Sequence, residues 1–261
     1  MTMKKIFTLT LLCIATALNA LASSLGAEAD SAYNKENYRL AIELDNRSIA
    51  EEGQSSTAYY NLGNAYYRND NLGKAVVSYE RALKLDPTNG DARQNLEFVR
   101  SRIQDKPEDD TAFFSKLHRS VAAGCHPDTW AWIAFGTFVL LLGAVAMYIF
   151  SRNVAMRKAG FFGGLILFFI FAYFLFVAYD SARIARSHDD AVVVSPSTQL
   201  TSAPRAARTA DDKVVTIHEG TKVEIIDSVA TPDDPVSPKW YNVKINNGTK
   251  AWLRASDVER I

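Results

Sequence analysis

Residues 56–89 carry a spacing of aromatic, apolar and small side chains that few folds can accommodate. The positions that define it are Tyr59, Leu62, Gly63, Tyr66, Ala75, Tyr79, Ala82 and Pro87. Most of them recur at helical intervals, so they form one apolar face on each of two helices. Gly63 and Ala75 allow the two helices to cross closely, and Asn69-Asp70-Asn71 interrupts the hydrophobic period between them. Pro87 disfavours helical geometry in the residue before it, so the sequence predicts a helical hairpin that ends there.

This pattern resembles the tetratricopeptide (TPR) repeat, in which helical hairpins of about 34 residues stack into a protein-binding array. The segment before residues 56–89 contains a weaker copy, in which Asp45 stands at the position of Tyr79 one repeat earlier. After the clear repeat, Asp91–Gln104 has one apolar and one polar face, as expected for the helix that caps such an array. We therefore predict an all-α TPR domain at residues 23–105, with about two repeats and a cap helix.

The N-terminus has the three parts of a secretory signal peptide. Lys4-Lys5 precede the apolar run Ile6–Ala17, and Ala20-Leu21-Ala22 has the small residues of a cleavage site. We expect residues 1–22 to be removed and the repeats to lie outside the cytoplasm. Lipidation of Cys13 is the alternative, although the small residue that normally precedes a lipidated cysteine is missing.

Two later segments, residues 129–150 and 159–179, contain no Asp, Glu, Lys, Arg or His. Each is long enough to cross a hydrocarbon core of about 30 Å. The loop between them, residues 151–158, carries basic residues and no acidic one, which favours the cytoplasmic side. Linkers at residues 106–128 and 180–190 flank this two-helix transmembrane hairpin. Both outer ends of the hairpin are therefore predicted to face away from the cytoplasm.

The lack of ionisable residues in the two spans argues against transport and favours a membrane anchor. Gly160 and Gly164 offer small residues for close helix contact, although membrane helices also tolerate glycine without such a role. In the linker before the first span, Phe113–Arg119 is amphipathic. It fits either a helix at the membrane surface or an ordinary linker turn.

Residues 191–261 consist of short β-prone segments in which apolar and polar positions largely alternate, as in half-buried strands. Asn246-Asn247-Gly248 is typical of a tight hairpin. Three short motifs resemble the bacterial SH3-like family: Glu219-Gly220-Thr221, Trp240-Tyr241 and Trp252-Leu253. The resemblance implies a small all-β SH3-like barrel, although Ala251 stands where the family usually has glycine.

Charge and side-chain spacing favour neither an enzyme nor a nucleic-acid-binding protein. The formal net charge is zero, and no block of Lys and Arg is present to neutralise phosphates. His118, His188 and His218 lack the spacing of metal ligands, so no metal or other cofactor is predicted. Cys125, beside His126, would be the sole cysteine after signal cleavage. It is a candidate for an intermolecular disulfide or, more remotely, for redox sensing or catalysis.

Partner binding is predicted on the first helix of the clear repeat. The side chains that fall off its packing face are Tyr60, Asn61, Asn64, Tyr67 and Arg68. Amides and tyrosines can hydrogen-bond an extended peptide backbone. Asn61 and Asn64 resemble the asparagines that bind peptide carboxylates in some TPR domains. The flanking repeats, however, lack the basic residues that complete such a clamp.

The order of these parts, with Pro127-Asp128-Thr129-Trp130 opening the first span, resembles the BatE-type proteins of the bacterial aerotolerance operon. The resemblance implies a multidomain inner-membrane protein with its TPR and SH3-like modules in the periplasm. It also implies an envelope complex with von Willebrand A-domain Bat proteins and a MoxR-type ATPase, linked indirectly to tolerance of oxygen or stress. The sequence thus predicts a membrane-anchored scaffold. The alternative is a protein that senses the cell wall or regulates wall enzymes, with its SH3-like module bound to peptidoglycan.

Overall fold

The structure, a computed structural model, describes residues 25–105, 113–187, 189–231, 239–245 and 248–261. These residues form two compact units. One unit holds the N-terminal helices together with the C-terminal sheet, and the other holds the three helices that lie between them in the sequence. The predicted signal peptide and the two asparagines of the predicted hairpin turn lie outside the described residues.

The N-terminal part of the first unit is helical throughout, as the repeat pattern predicts. Its helices are α1 (residues 25–34), α2 (Tyr38–Glu52), α3 (Ser56–Arg68), α4 (Leu72–Leu85) and α5 (Gly90–Arg100). The side chains of Asn37, Ser55 and Asn89 cap α2, α3 and α5, because each accepts a hydrogen bond from a backbone N–H three residues further on. The predicted turn separates α3 from α4, and Asp70 within it has a φ of 58°.

The seam between α3 and α4 is filled by the side chains of the repeat pattern. Its buried members include Tyr59, Leu62, Ala75, Tyr79 and Ala82. Across the seam, a Cβ at Gly63 would lie 2.7 Å from the ring of Tyr79, whereas the sequence pattern pairs Gly63 with Ala75. The two helices can therefore cross closely because the residue that faces the Tyr79 ring is the glycine at position 63.

The C-terminal part of this unit is a seven-stranded antiparallel sheet. Its strands are β1 (Asp190–Val193), β2 (Ser197–Thr201), β3 (Lys213–His218), β4 (Lys222–Ala230), β5 (Lys239–Lys244), β6 (Lys250–Arg254) and β7 (Val258–Arg260). Their order is β3-β2-β6-β5-β4-β1-β7. β5 and β6 form the predicted hairpin, in which Gly248 has a φ of 82°.

The predicted closed barrel is wrong. Within the described residues, β3 pairs only with β2 and β7 pairs only with β1, so the sheet has two open edges. The connection between its two halves is also narrow, because β2 meets β6 through the single residue pair Thr201 and Trp252. One face of the sheet nevertheless buries a continuous apolar cluster that includes Val193, Leu200, Val223, Val243 and Leu253.

The sheet packs against α4, so the repeats and the sheet share part of one core. Val192 of β1 is buried in the same cluster as Val76 and Val77 of α4. The backbones approach closely at Gly73, where a Cβ would lie 2.8 Å from the carbonyl oxygen of Val193. Removing either the repeats or the sheet would therefore expose apolar surface of the other.

Polar contacts connect the end of the repeat array to the turn between β3 and β4. The carboxylate of Asp105 accepts hydrogen bonds from the backbone N–H of His218 at 2.6 Å and from the hydroxyl of Thr221 at 2.9 Å. It also lies 3.0 Å from Nδ1 of His218. Burial by itself raises the pKa of Asp105, but these hydrogen bonds outweigh burial and lower the pKa below its usual value. The Asp105 carboxylate is therefore held in its ionised form.

The second unit contains α6 (Phe113–Ala122), α7 (Pro127–Phe150) and α8 (Val154–Arg186). α7 and α8 are long and apolar enough to cross a membrane, with mean hydropathy values of 2.3 and 2.5 over their most apolar segments. Both extend beyond the predicted spans. The predicted linker segment at Phe113–Arg119 is helical, whereas its location at a membrane surface stays a prediction.

Gly160 allows α7 and α8 to approach each other. A Cβ at Gly160 would lie 2.8 Å from the carbonyl oxygen of Ala144, whereas a Cβ at Gly163 would meet no atom within 4 Å among the described residues. Trp130 of α7 is buried and stacks on Phe174 of α8 with 5.6 Å between ring centroids. Its ring therefore packs within the hairpin.

Candidate functional site

The predicted partner-binding residues of α3 lie beside residues of α1 and α5. Nδ2 of Asn61 donates a hydrogen bond to Oδ1 of Asp30 on α1, 3.3 Å away. Oδ1 of Asn64 accepts one from Nδ2 of Asn95 on α5, 2.8 Å away. These two amides join three helices, and we call the surface around Asp30, Asn61, Asn64 and Asn95 the α1/α3/α5 face.

Asn64 is bound within the fold. Its Oδ1 also accepts a hydrogen bond of 2.6 Å from the hydroxyl of Tyr79. Burial is the main cause that raises the pKa of Tyr79 well above its usual value, so this hydroxyl stays protonated and remains a donor. Tyr60 packs nearby, with 6.2 Å between its ring centroid and that of Tyr79. Asn64 therefore stabilises the repeat, and its oxygen is already occupied.

Tyr67 and Arg68 extend this surface at the C-terminal end of α3. The Tyr67 ring meets Phe98 of α5 edge-on, with centroids 5.7 Å apart. The guanidinium group of Arg102 lies 4.4 Å from the centroid of Phe98. Arg68 is exposed and lies over the ring of Tyr38 at 4.9 Å. Arginine and tyrosine are enriched among the residues that contribute most to the binding energy of protein interfaces.

A pocket of about 280 Å³ opens beside this face. It is lined by Ala29, Asp30, Tyr33, Asn34, Asp45, Asn61 and Asn64. Asp45 of α2 is only 5% exposed and makes no hydrogen bond or ion pair with any residue that the structure describes. Burial and, to a lesser extent, the nearby Asp30 raise the pKa of Asp45 from 3.8 to about 7. The sequence pattern identifies Asp45 only as a departure from the repeat, and that departure is the signal for the pocket.

A second pocket, of about 370 Å³, lies on the sheet. Its lining comprises Ser197, Thr198, Gln199, Thr201, Ala206, Ala207, Trp240, Arg254 and Asp257. The indole N–H of Trp240 is buried and has no hydrogen-bond partner among the described residues. The guanidinium group of Arg254 lies 5.8 Å from the centroid of the Trp240 ring. This pocket therefore combines an aromatic ring and a cation with several hydroxyl groups.

The cysteine and the histidines lie in separate surroundings. Nε2 of His118 lies 3.2 Å from a carboxylate oxygen of Asp180, and His218 contacts Asp105. Cys125 is a half-buried free thiol, and His188 lies outside the described residues. In the part of the chain that the structure describes, no three acidic, histidine or cysteine side chains come close enough to hold a metal ion.

Comparison with known proteins identifies one part of the chain. Residues 56–89 match the family model of the tetratricopeptide repeat, and they contain α3 and α4. This repeat is a non-catalytic module that mediates protein–protein contacts. No curated protein matches the chain.

Proposed function

We propose that this chain is a membrane-anchored scaffold that binds a protein partner through the α1/α3/α5 face. The repeat match at residues 56–89 is the observation that carries the proposal. The exposed Arg68 and Arg102, each stacked on an aromatic ring, supply the kind of side chain that anchors a partner. α7 and α8 would hold the scaffold in the membrane.

The proposed location is the bacterial inner membrane, with two spans and with the repeats and sheet in the periplasm. A cleaved signal at residues 1–22 and the basic loop at residues 151–158 support this orientation independently. The resemblance to BatE-type proteins points to von Willebrand A-domain Bat proteins and a MoxR-type ATPase system as partners. A role in aerotolerance would then be indirect, through assembly of the complex.

Affinity capture from gently solubilised membranes, with mass-spectrometric detection, tests the scaffold function. Point variants are needed rather than deletions, because α4 and β1 share a core. The double variant Arg68→Glu and Arg102→Glu reverses two exposed charges beside the face. We expect it to lose the membrane and periplasmic proteins that the wild-type chain captures.

The matched control is Lys35→Glu with Arg39→Glu, which reverses two exposed charges on the α1–α2 turn and the first turn of α2. The control should keep the captured proteins. Equal capture by both double variants would overturn the proposed binding face.

Thiol labelling tests the proposed orientation, in a chain that also carries Cys125→Ser. In intact spheroplasts, a membrane-impermeant maleimide should label the thiol introduced by Glu97→Cys. The same reagent should label the thiol introduced by Arg152→Cys only after the membrane is permeabilised. Labelling at position 152 before permeabilisation would contradict the orientation.

The second candidate function is recognition of the cell wall by the sheet, which we propose to be an SH3-like module without barrel closure. The guanidinium group of Arg254 and the hydroxyl groups that line the sheet pocket favour it, because such groups can hydrogen-bond the oxygen atoms of a polar ligand. Sedimentation of the full-length chain with isolated peptidoglycan tests this function. Arg254→Gln should reduce co-sedimentation, and no co-sedimentation of the wild-type chain would exclude this role.

A further inference from the structure

The two repeats differ at the position where their helices meet. Tyr79 in the second repeat corresponds to Asp45 in the first, 34 residues earlier, the period of the repeat. By the same period, Gly63 corresponds to Ala29 and Asn64 corresponds to Asp30. In the second repeat, the ring of Tyr79 fills the space beside Gly63, and its hydroxyl donates to Asn64. The first repeat has a carboxyl group in place of that phenol and a second carboxyl group in place of its acceptor.

The pocket of about 280 Å³ occupies the corresponding place in the first repeat. Ala29, Asp30 and Asp45, which replace Gly63, Asn64 and Tyr79, all line it. An aspartate side chain is much smaller than a tyrosine, so the exchange leaves space between the helices that no described residue fills. The pocket opens at the surface, so a side chain of another protein can enter this space.

The charged side chains that line this pocket in the described structure are both acidic. Asp45 is 5% exposed, and among the described residues it has neither a hydrogen-bond donor nor a cation as partner. Asp30, the other acid in the lining, accepts a hydrogen bond from Asn61, and no Lys, Arg or His of the described part of the chain lines the pocket. Burial of Asp45 beside Asp30 raises its pKa to about 7, as expected for a carboxyl group without a counter-ion. A bound cation would relieve this penalty, whereas a carboxylate or phosphate ligand would increase it.

We propose that this pocket binds the side chain of a lysine or arginine from the protein partner. The alkyl part of such a side chain would lie along Ala29 and Tyr33, and its cationic end would donate hydrogen bonds to Asp30 and Asp45. The pocket adjoins the predicted binding residues Asn61 and Asn64, so an extended peptide on the α1/α3/α5 face could place a side chain there. This specificity is opposite in charge to the carboxylate recognition for which some TPR domains use asparagines.

A metal ion fits the pocket less well than a cationic side chain. Only two carboxyl groups line it, and nowhere in the described parts of the chain do three acidic, histidine or cysteine side chains gather as metal ligands. Hard divalent cations take about six to eight oxygen ligands at short distances. The volume of the pocket is instead suited to several heavy atoms, as in the end of a lysine or arginine side chain.

The test measures peptide binding to the full-length chain in detergent micelles at about pH 8, above the pKa of about 7 for Asp45. The probe is a fluorescein-labelled peptide Gly-Ser-Gly-Lys-Gly-Ser-Gly with a blocked C-terminus, followed by fluorescence anisotropy. The matched probe has norleucine in place of lysine, which keeps the alkyl chain without the charge. We expect the lysine peptide to bind at least about tenfold more tightly, because hydrogen bonds between charged groups are worth that much.

Two variants assign binding to the pocket. Asp45→Asn keeps the shape of the side chain and removes its charge, and we expect it to weaken the lysine peptide about tenfold. Asp45→Tyr together with Ala29→Gly restores the aromatic residue and the glycine of the second repeat, and it should fill the pocket and abolish binding. The control is Asp91→Asn, at an exposed position of α5, which should bind the lysine peptide as the wild-type chain does.

Several outcomes would overturn the proposal. One is equal affinity for the lysine and norleucine peptides. Another is that Asp91→Asn weakens binding of the lysine peptide as much as Asp45→Asn does. A third is tight binding of Ca²⁺ alone that Asp45→Asn removes. The inference rests on the proposed scaffold function, but the two can fail separately. If the charge-reversal variant of Arg68 and Arg102 loses its captured proteins while the lysine peptide does not bind, the scaffold stands and this pocket assignment falls. If both charge-reversal variants capture the same proteins while the lysine peptide binds specifically, the pocket assignment stands and the proposed binding face falls.

Discussion

Gly63 and Tyr79 are in direct contact across the seam between α3 and α4. A Cβ at position 63 would stand 2.7 Å from Cε1 of Tyr79, closer than two carbon atoms can pack. Tyr79 is buried, and its hydroxyl donates to Asn64, the residue that follows Gly63 on α3. The same aromatic side chain therefore fills the interior of the repeat and orders a side chain on the proposed binding face.

Replacing Gly63 should weaken the second repeat. The new methyl group of Gly63→Ala would displace a buried ring, and overpacking of this kind costs about 1–3 kcal/mol, more than the gain in helix propensity. The measurement is hydrogen exchange of the α3 and α4 amides in the full-length chain. Gly26→Ala is the control, because a Cβ there meets no described atom within 4 Å. Equal protection of α3 and α4 in the two variants would show that the ring can move aside.

Asp45 should make the stability of the first repeat depend on pH. Its pKa is 3.8 when unperturbed and about 7 in the folded chain, so between these values the folded state binds a proton that the unfolded state has released. The resulting stabilisation is fully present below about pH 4 and is lost as the pH rises to about 7. Asp45→Asn, which cannot ionise, should become progressively more stable than the wild-type chain over this range, by an amount on the order of 4 kcal/mol.

The measurement is the thermal unfolding of the helices at a series of pH values, compared between the wild-type chain and Asp45→Asn. Asp91→Asn controls for the loss of an exposed charge. Parallel curves for the wild-type chain and Asp45→Asn would mean that Asp45 is not held in a protonated form.

Local patterns in the sequence predict most of the elements. Aromatic and small residues at helical spacing identify α3 and α4, and alternation of apolar and polar residues identifies most strands of the sheet. Alternation of apolar and polar residues does not identify the short strands β2 and β7. Leu200 is the one large apolar residue of Ser197–Thr201, and Val258–Arg260 is too short for alternation to be visible.

Contacts between distant parts of the chain are beyond such patterns. The junction of the repeats with the sheet depends on close approaches at Gly73 to the backbone of Val193 and at Gly220 to the side chain of Ile103, which nothing in their local sequences indicates. The same holds for the binding face. Sequence spacing places Asn64 off the packing side of α3, but only the fold brings it to Tyr79 and Asn95. The pocket at Asp45 arises because the first repeat has aspartate where the second has tyrosine. A sequence pattern that measures only likeness to the repeat gives no weight to this position.

Asp105 should hold the β3–β4 turn against the end of the repeat array. Asp105→Ala removes the acceptor of hydrogen bonds from His218 and Thr221, and we expect the local free energy of opening to fall by about 1–3 kcal/mol. Because the folded state lowers the pKa of Asp105, its contribution should be present at neutral pH and lost as the pH falls through the folded pKa, below about pH 4.

Hydrogen exchange of the amides in residues 213–221 measures this effect. Asp211→Ala, at an exposed position before β3, is the control. If Asp105→Ala leaves exchange in the turn unchanged at neutral pH, the contacts of Asp105 do not stabilise the junction of repeats and sheet.

The packing of α7 and α8 should depend on Gly160 and not on Gly163. A side chain at position 160 would meet the carbonyl oxygen of Ala144 and the backbone nitrogen of Tyr148, each 2.8 Å from the new Cβ, whereas position 163 faces open space in the described structure. If α7 and α8 span a membrane as proposed, close backbone packing rather than hydrophobic burial holds them together, because lipid is as apolar as a leucine side chain. Gly160→Leu should therefore separate the helices at a cost of about 1–3 kcal/mol or more. Gly163→Leu adds the same side chain and should have little effect. Hydrogen exchange of α7 peptides in detergent micelles compares the two, and faster exchange in both variants or in neither would contradict this arrangement of the hairpin.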